Sequence, residues 1–133
     1  MWLLGTNPTA IKISRSEDGL EWPPNASAVI SKGNDTYNTG PTPTLVAGGR
    51  LYRAMEFFRP PHRWGLDYEA MCVHADVNSD LLDPSSWTIT EPLPLDMKWF
   101  SFPMTTPGYL EGNMVEGPNG EIYDILRLNS LPA

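Results

Sequence analysis

Ala10-Ile-Lys-Ile-Ser-Arg-Ser-Glu-Asp-Gly-Leu-Glu-Trp22 reads as a short apolar strand, a polar turn and a closing tryptophan. The same shape returns in Ala70-Met-Cys-Val-His-Ala-Asp76, which runs on through Asn78-Ser-Asp-Leu-Leu-Asp-Pro-Ser-Ser-Trp87 with a longer turn. A second pair of motifs interleaves with the first. Val46-Ala-Gly-Gly-Arg-Leu-Tyr-Arg-Ala-Met-Glu56 matches Val115-Glu-Gly-Pro-Asn-Gly-Glu-Ile-Tyr-Asp-Ile-Leu-Arg127 in outline. Both read as hairpins whose turn glycines supply positive φ, with a tyrosine just inside the return strand. Interleaved strand motifs of this kind are what stacked four-stranded blades produce.

Outward from these repeats, strands are expected near 2–6, 10–14, 28–32, 42–47, 50–57, 69–76, 88–90, 110–116 and 121–128. No stretch of twelve residues holds a clean 3.6-residue period, and the best helical candidate is one turn at 79–85. The expected fold is therefore all-β, a β-propeller sector of about two to three four-stranded antiparallel blades. Residues 1–33 form a partial blade, 40–92 a complete one and 109–133 another partial one. A β-sandwich also gives short strands at this spacing, but the motifs here recur in a blade's order. Blades cannot bury their faces alone, so the sector is expected to be part of a larger protein or to close by self-assembly.

Composition narrows the functional classes. The chain has 133 residues, 41% of them hydrophobic and 19% charged, enough for one domain with a core. Nine Lys and Arg against sixteen Asp and Glu give a net charge of −7, which argues against a nucleic-acid partner. Acidity is compatible with neutral sugar ligands. No apolar run is long enough to span a membrane. The single cysteine, Cys72, is expected to be a buried inert thiol. With two histidines and no clustered ligand spacing, neither a metal nor a cofactor is expected.

Ser16-Glu-Asp18-Gly19-Leu-Glu-Trp22 looks like an Asp-box one residue shorter than the usual Ser-x-Asp-x-Gly-x-x-Trp form. Ser16 and Asp18 are expected to bond turn amides, Gly19 to allow the bend and Trp22 to pack under the hairpin. Asp18 is thus read as a brace, with no catalytic part. With this box, Tyr37-Asn-Thr-Gly-Pro-Thr-Pro-Thr-Leu-Val, Gly49-Arg-Leu-Tyr-Arg-Ala-Met-Glu56, Asp80-Leu-Leu-Asp-Pro-Ser-Ser-Trp87 and Tyr109-Leu-Glu-Gly-Asn113 make the chain resemble the sialidase-like (exo-α-sialidase or neuraminidase-like) β-propellers. The resemblance runs throughout its length. It implies a five- or six-bladed propeller of several hundred residues, a carbohydrate ligand and an extracellular or periplasmic setting. It also implies a glycosidase, although the full sialidase set of three arginines, a Tyr/Glu pair and an acid/base Asp is not placed in this sequence.

In a propeller the loops between a blade's second and third strands, and those entering each innermost strand, gather on one face. Segments 34–40, 57–68 and 91–110 meet that criterion. Glu111, at the head of an expected inner strand, is the favoured catalytic carboxylate. Gly112 would let a ligand approach the backbone, and Asn113 is placed to bond a sugar hydroxyl. Glu56 is the second catalytic candidate, as acid or base with Glu111 if the two converge; the bland alternative is an ion pair between Glu56 and Arg127. Arg59, His62, Arg63 and Trp64 form a basic, aromatic loop suited to substrate binding, including an anionic sugar. Tyr37 and Trp99 offer further stacking surface. His74 is read as a packed, hydrogen-bonded histidine. The function expected is glycoside hydrolysis in a central pocket, with the fragment alone inactive. A carbohydrate-binding propeller without catalysis, or an interaction scaffold, is the alternative.

Overall fold

The computed structural model describes residues 1–6, 9–31, 33–101 and 108–129 and contains three antiparallel sheets. The first holds β1 (Trp2–Thr6), β2 (Ile11–Arg15) and β3 (Ser27–Val29) in that order. The second holds β4 (Tyr37–Asn38), β5 (Leu45–Ala47), β6 (Arg50–Phe58), β7 (Tyr68–Asp76) and β8 (Trp87–Ile89). Here β4 and β5 both pair with β6, and β7 and β8 follow. The third is β9 (Gly108–Glu116) paired with β10 (Ile122–Asn129). Helical structure among the described residues is confined to 3-10 turns such as Pro84–Ser86. The class is all-β, and the sheets are not closed on one another.

Several sequence expectations shift in register. Of the strand expected at 42–47 only β5 (Leu45–Ala47) forms, with the separate short β4 before it. Pro41 and Pro43 lie in the gap, where they have no N–H to give a ladder. Tyr37 and Asn38, read as loop, pair with Phe57 and Glu56. The helical turn expected at 79–85 contracts to Pro84–Ser86, opened by Asp83, whose side chain accepts from the Ser85 N–H. Parts of the expected 28–32 strand, the 91–110 segment and the outer blades (1–33 and 109–133) fall on residues 7–8, 32, 102–107 and 130–133, outside the described residues.

Two sheet contacts of opposite character organise the molecule. Leu4, Ile11 and Ile13 of the first sheet join Met55, Met71, Val73, Ala75 and Trp87 of the second in one apolar core. Ile11, Ile13, Met55 and Val73 are almost wholly removed from water. Burial of this kind contributes about 1.5–3 kcal/mol per large side chain. The second and third sheets meet through the other face of β6, where Ala54 and Glu56 lie against β9. Glu56 is only 1% exposed, so this contact carries a carboxylate where the first carries hydrocarbon.

The Asp18 turn is built as its residues suggest. Asp18 Oδ1 accepts from the Leu20 and Glu21 amides, Ser16 Oγ accepts from Gly19, and Gly19 adopts φ 82°. Trp22 Nε1 donates back to Gly19 O, as Trp87 Nε1 does to Leu81 O in the longer turn. The turn amides, Glu21 first and Leu20 next, hold the Asp18 carboxyl below its ordinary 3.8. A lowered carboxylate stabilises above its unfolded value and loses that contribution as pH falls through the folded one. Asp18→Ala is therefore expected to lower the melting temperature measurably at pH 7. The difference from wild type should shrink below about pH 4, as thermal scans at both pH values would show.

Candidate functional site

An unusual stretch of backbone lies in β9. Its register against β10 slips between Ile125 and Arg127, so that Glu111 and Gly112 together oppose Leu126. Glu111 takes φ 55°, a left-handed conformation that normally belongs to glycine. Such a residue persists only when its surroundings hold it. The Glu111 N–H donates to Glu56 Oε1 at 2.8 Å, and the Gly112 N–H, turned toward the same carboxylate, also lowers its pKa. Asn38 Nδ2 donates to Glu56 Oε2 at 2.9 Å. Two successive amides converging on one carboxylate form an anion-binding concavity, here filled by the protein's own side chain.

Glu56 and Glu111 thus meet, but through the backbone of one and the carboxylate of the other. Glu56 points inward; burial raises its pKa, outweighing the hydrogen bonds that lower it, Asn38 first. The Glu111 side chain turns outward, 44% exposed, and pairs with Arg127 Nε at 3.1 Å. Glu111, not Glu56, is therefore the partner of Arg127. Gly40 packs against Glu111: a Cβ there would lie 2.9 Å from Glu111 Cγ. Asn113 differs from its expected open position, because its Oδ1 is buried and without a hydrogen-bond partner.

The 57–68 loop is closed on itself. Arg59 donates through Nε and Nη2 to Glu69 at 2.8 and 2.7 Å. Arg63 does the same to Asp67 at 3.0 and 2.7 Å. Each guanidinium group of this loop, expected to bind substrate, is held by a carboxylate in a two-point contact. The other arginines are also engaged. Arg53 is buried and donates to Gly40 O, Arg50 meets His74 Nδ1 at 2.6 Å, and Arg15 lies over Trp2. His62 is exposed at φ 64° with its ring edge-on to Phe58. Trp64 and Trp99 are open to solvent, at 71% and 57%. Tyr37 is 6% exposed and packs edge-on against Phe57, so it offers no stacking face. Asn129 Nδ2 donates to Gly65 O, tying the loop to the end of β10.

Two clefts flank these elements. One, of about 670 Å³, is lined by Asp35, Tyr37, Phe57, Arg59 and Glu91. The other, of about 480 Å³, lies between the second and third sheets and reaches Tyr52, Cys72, Leu93, Met114 and Asp124. Glu111 lines neither. Burial pushes the Asp124 carboxyl up to about 6 and the Cys72 thiol up to about 11, so Cys72 stays protonated at neutral pH. His74, half-buried, is pushed down by burial and by Arg50. Asp124 was absent from the sequence-based candidates although a signal existed. It alternates with Ile122 and Leu126, which places an acid on the inward face of an otherwise apolar strand.

No protein-family model matches this sequence, and no curated protein matches it. Among solved structures the chain is similar to the α-L-arabinofuranosidase from Lactobacillus brevis, with 16% identity and a TM-score of 0.60. The match covers 97% of this chain and 42% of that one, so the chain spans less than half the length of its structural neighbour. At this identity the likeness establishes a shared all-β fold.

Proposed function

We propose that this chain is a β-propeller sector of a carbohydrate-active protein that recognises a neutral sugar at the Glu111–Arg127 surface. The blade reading (1–33, 40–92 and 109–133) is supported by β5 pairing with β6 and by the order β6-β7-β8 that follows it. The outer face of β10, with Tyr123 and Ile125 more than half exposed, is what a further blade or a second copy would cover. The structural neighbour is named as an α-L-arabinofuranosidase, which favours glycoside chemistry and, given the resemblance noted above, an extracellular or periplasmic setting.

One observation carries the choice of sugar: Arg59, Arg63 and Arg127 are each already paired with a carboxylate. A sialate or uronate would have to break such a pair, whereas the hydroxyls of a neutral sugar need only the exposed rims of Glu111 and Arg127. In the hydrolytic reading Glu111 acts as general acid or base. In the protein that carries the remaining blades, its replacement by glutamine is expected to cut release of nitrophenol from 4-nitrophenyl α-L-arabinofuranoside on the order of 10²-fold. The inward turn of Glu56 favours a second reading, recognition without hydrolysis, since it removes the partner carboxylate expected beside Glu111. Binding of the glycoside without turnover by wild type would select that reading. Absence of both binding and turnover would reject the proposal.

A further inference from the structure

We infer that Glu56 is a positioning residue, whose buried carboxylate holds the Glu111–Gly112 bulge and so sets the direction of the Glu111 side chain. The inference rests on the reading of Glu111 as the ligand-facing carboxylate, and replaces the acid/base role expected for Glu56.

The geometry supports this in three ways. In a straight strand successive N–H groups point to opposite sides, so β10 could have taken only one of the two bulge amides; the bulge turns both toward Glu56, whose Oε1 accepts from Glu111. Without an acceptor there, two donors would face the interior of the sheet contact. Glu111 in the left-handed region carries a Cβ penalty that only an over-determined setting sustains, and Glu56 together with Gly40 supplies that setting. Finally, Glu56 is itself fixed, because Asn38 Nδ2 holds its second oxygen and 1% exposure leaves it no alternative rotamer in water. A catalytic carboxylate must reach a substrate, and this one reaches only protein.

Backbone amide exchange and ¹⁵N–¹H spectra of wild type and Glu56→Gln test the inference without reference to activity. A glutamine cannot accept from both bulge amides and from Asn38 without turning its NH₂ onto a donor. Exchange at Glu111 and Gly112 is expected to quicken by about tenfold or more, while Ile11, Ile13 and Val73 keep wild-type rates. The affinity of methyl α-L-arabinofuranoside, read from the Glu111 and Arg127 resonances, should fall together with the loss of bulge protection. Unchanged exchange at 111 and 112, or a uniform increase along the whole chain, would overturn the inference. Should Glu56→Gln fail to fold, wild type still decides. The two amide protons must shift together as Glu56 titrates, beside the other charged and titratable groups that face it: Asp124, Arg53 and Tyr68. Independent movement would overturn it. If wild type binds no glycoside, the sugar reading fails, and the exchange data still settle the role of Glu56.

Discussion

Asp124→Asn is expected to stabilise the protein at pH 8 and to leave its stability almost unchanged at pH 4. Asp124 lies on the inward face of β10 with Oδ1 buried and without a hydrogen-bond partner, and the nearby Asn113 N–H lowers its pKa only in part. Desolvation dominates and raises the carboxyl from 3.8 to about 6. The sign follows from linkage. Between these values the native state keeps a proton that the unfolded chain has released, so stability falls as pH rises through the window. Below it both states are protonated and nothing is lost. Above it the native state must hold a buried charge. The rise of roughly two units corresponds to about 3 kcal/mol at most. Asparagine keeps the shape and the acceptor for Asn113 and never ionises. Urea unfolding of both proteins at pH 4 and pH 8 measures the difference. A gain of the same size at both pH values would show that Asp124 is not a penalised charge.

Gly112→Ala is expected to destabilise by roughly 1–3 kcal/mol, the usual cost of overpacking a close contact. A Cβ at 112 would sit 2.5 Å from Asp124 Oδ1 and 2.8 Å from Ala54 Cβ. The carboxylate can swing aside, but Ala54 Cβ is fixed to the β6 backbone, so the second and third sheets must part. Parting them also lengthens the bonds from the bulge amides to Glu56. Denaturant unfolding of Gly112→Ala, Ala54→Gly and the double variant separates the causes. The double variant should recover part of the loss, a coupling expected of neighbours in contact. Strict additivity would mean that the spacing between these sheets is not what Gly112 preserves.

The strands were legible in the sequence because alternation and glycine turns are local. The return strand after Gly48-Gly49 and the one after Pro118-Asn-Gly120 are both present as β6 and β10. The Asp18 turn was legible for the same reason, since all its bonds span three residues or fewer. The site was legible only in part. Glu111 and Glu56 were singled out, and they do meet, yet the sequence gives no sign of a bulge at Glu111. Ideal alternation put Glu111 and Asn113 together as open side chains, whereas Asn113 has its oxygen enclosed. The arginines show the other limit. Phe57-Phe-Arg-Pro-Pro-His-Arg-Trp64 reads as a cationic loop until Asp67 and Glu69 are seen folded back onto it. Their spacing from Arg63 and Arg59 is compatible with pairing, but sequence alone does not distinguish a paired arginine from a free one.

The neutral-sugar surface at Glu111 and Arg127 is tested most directly by a paired titration followed by ¹⁵N–¹H spectra. Methyl α-L-arabinofuranoside and a methyl sialoside would be added in turn to the intact 133-residue chain. The account predicts that the neutral glycoside moves the resonances of Glu111, Gly112 and Arg127, and that the sialoside leaves them in place. Shifts caused by the sialoside, centred on Arg59 and Arg63, would contradict it, because those guanidinium groups would then have left Glu69 and Asp67 for a ligand carboxylate.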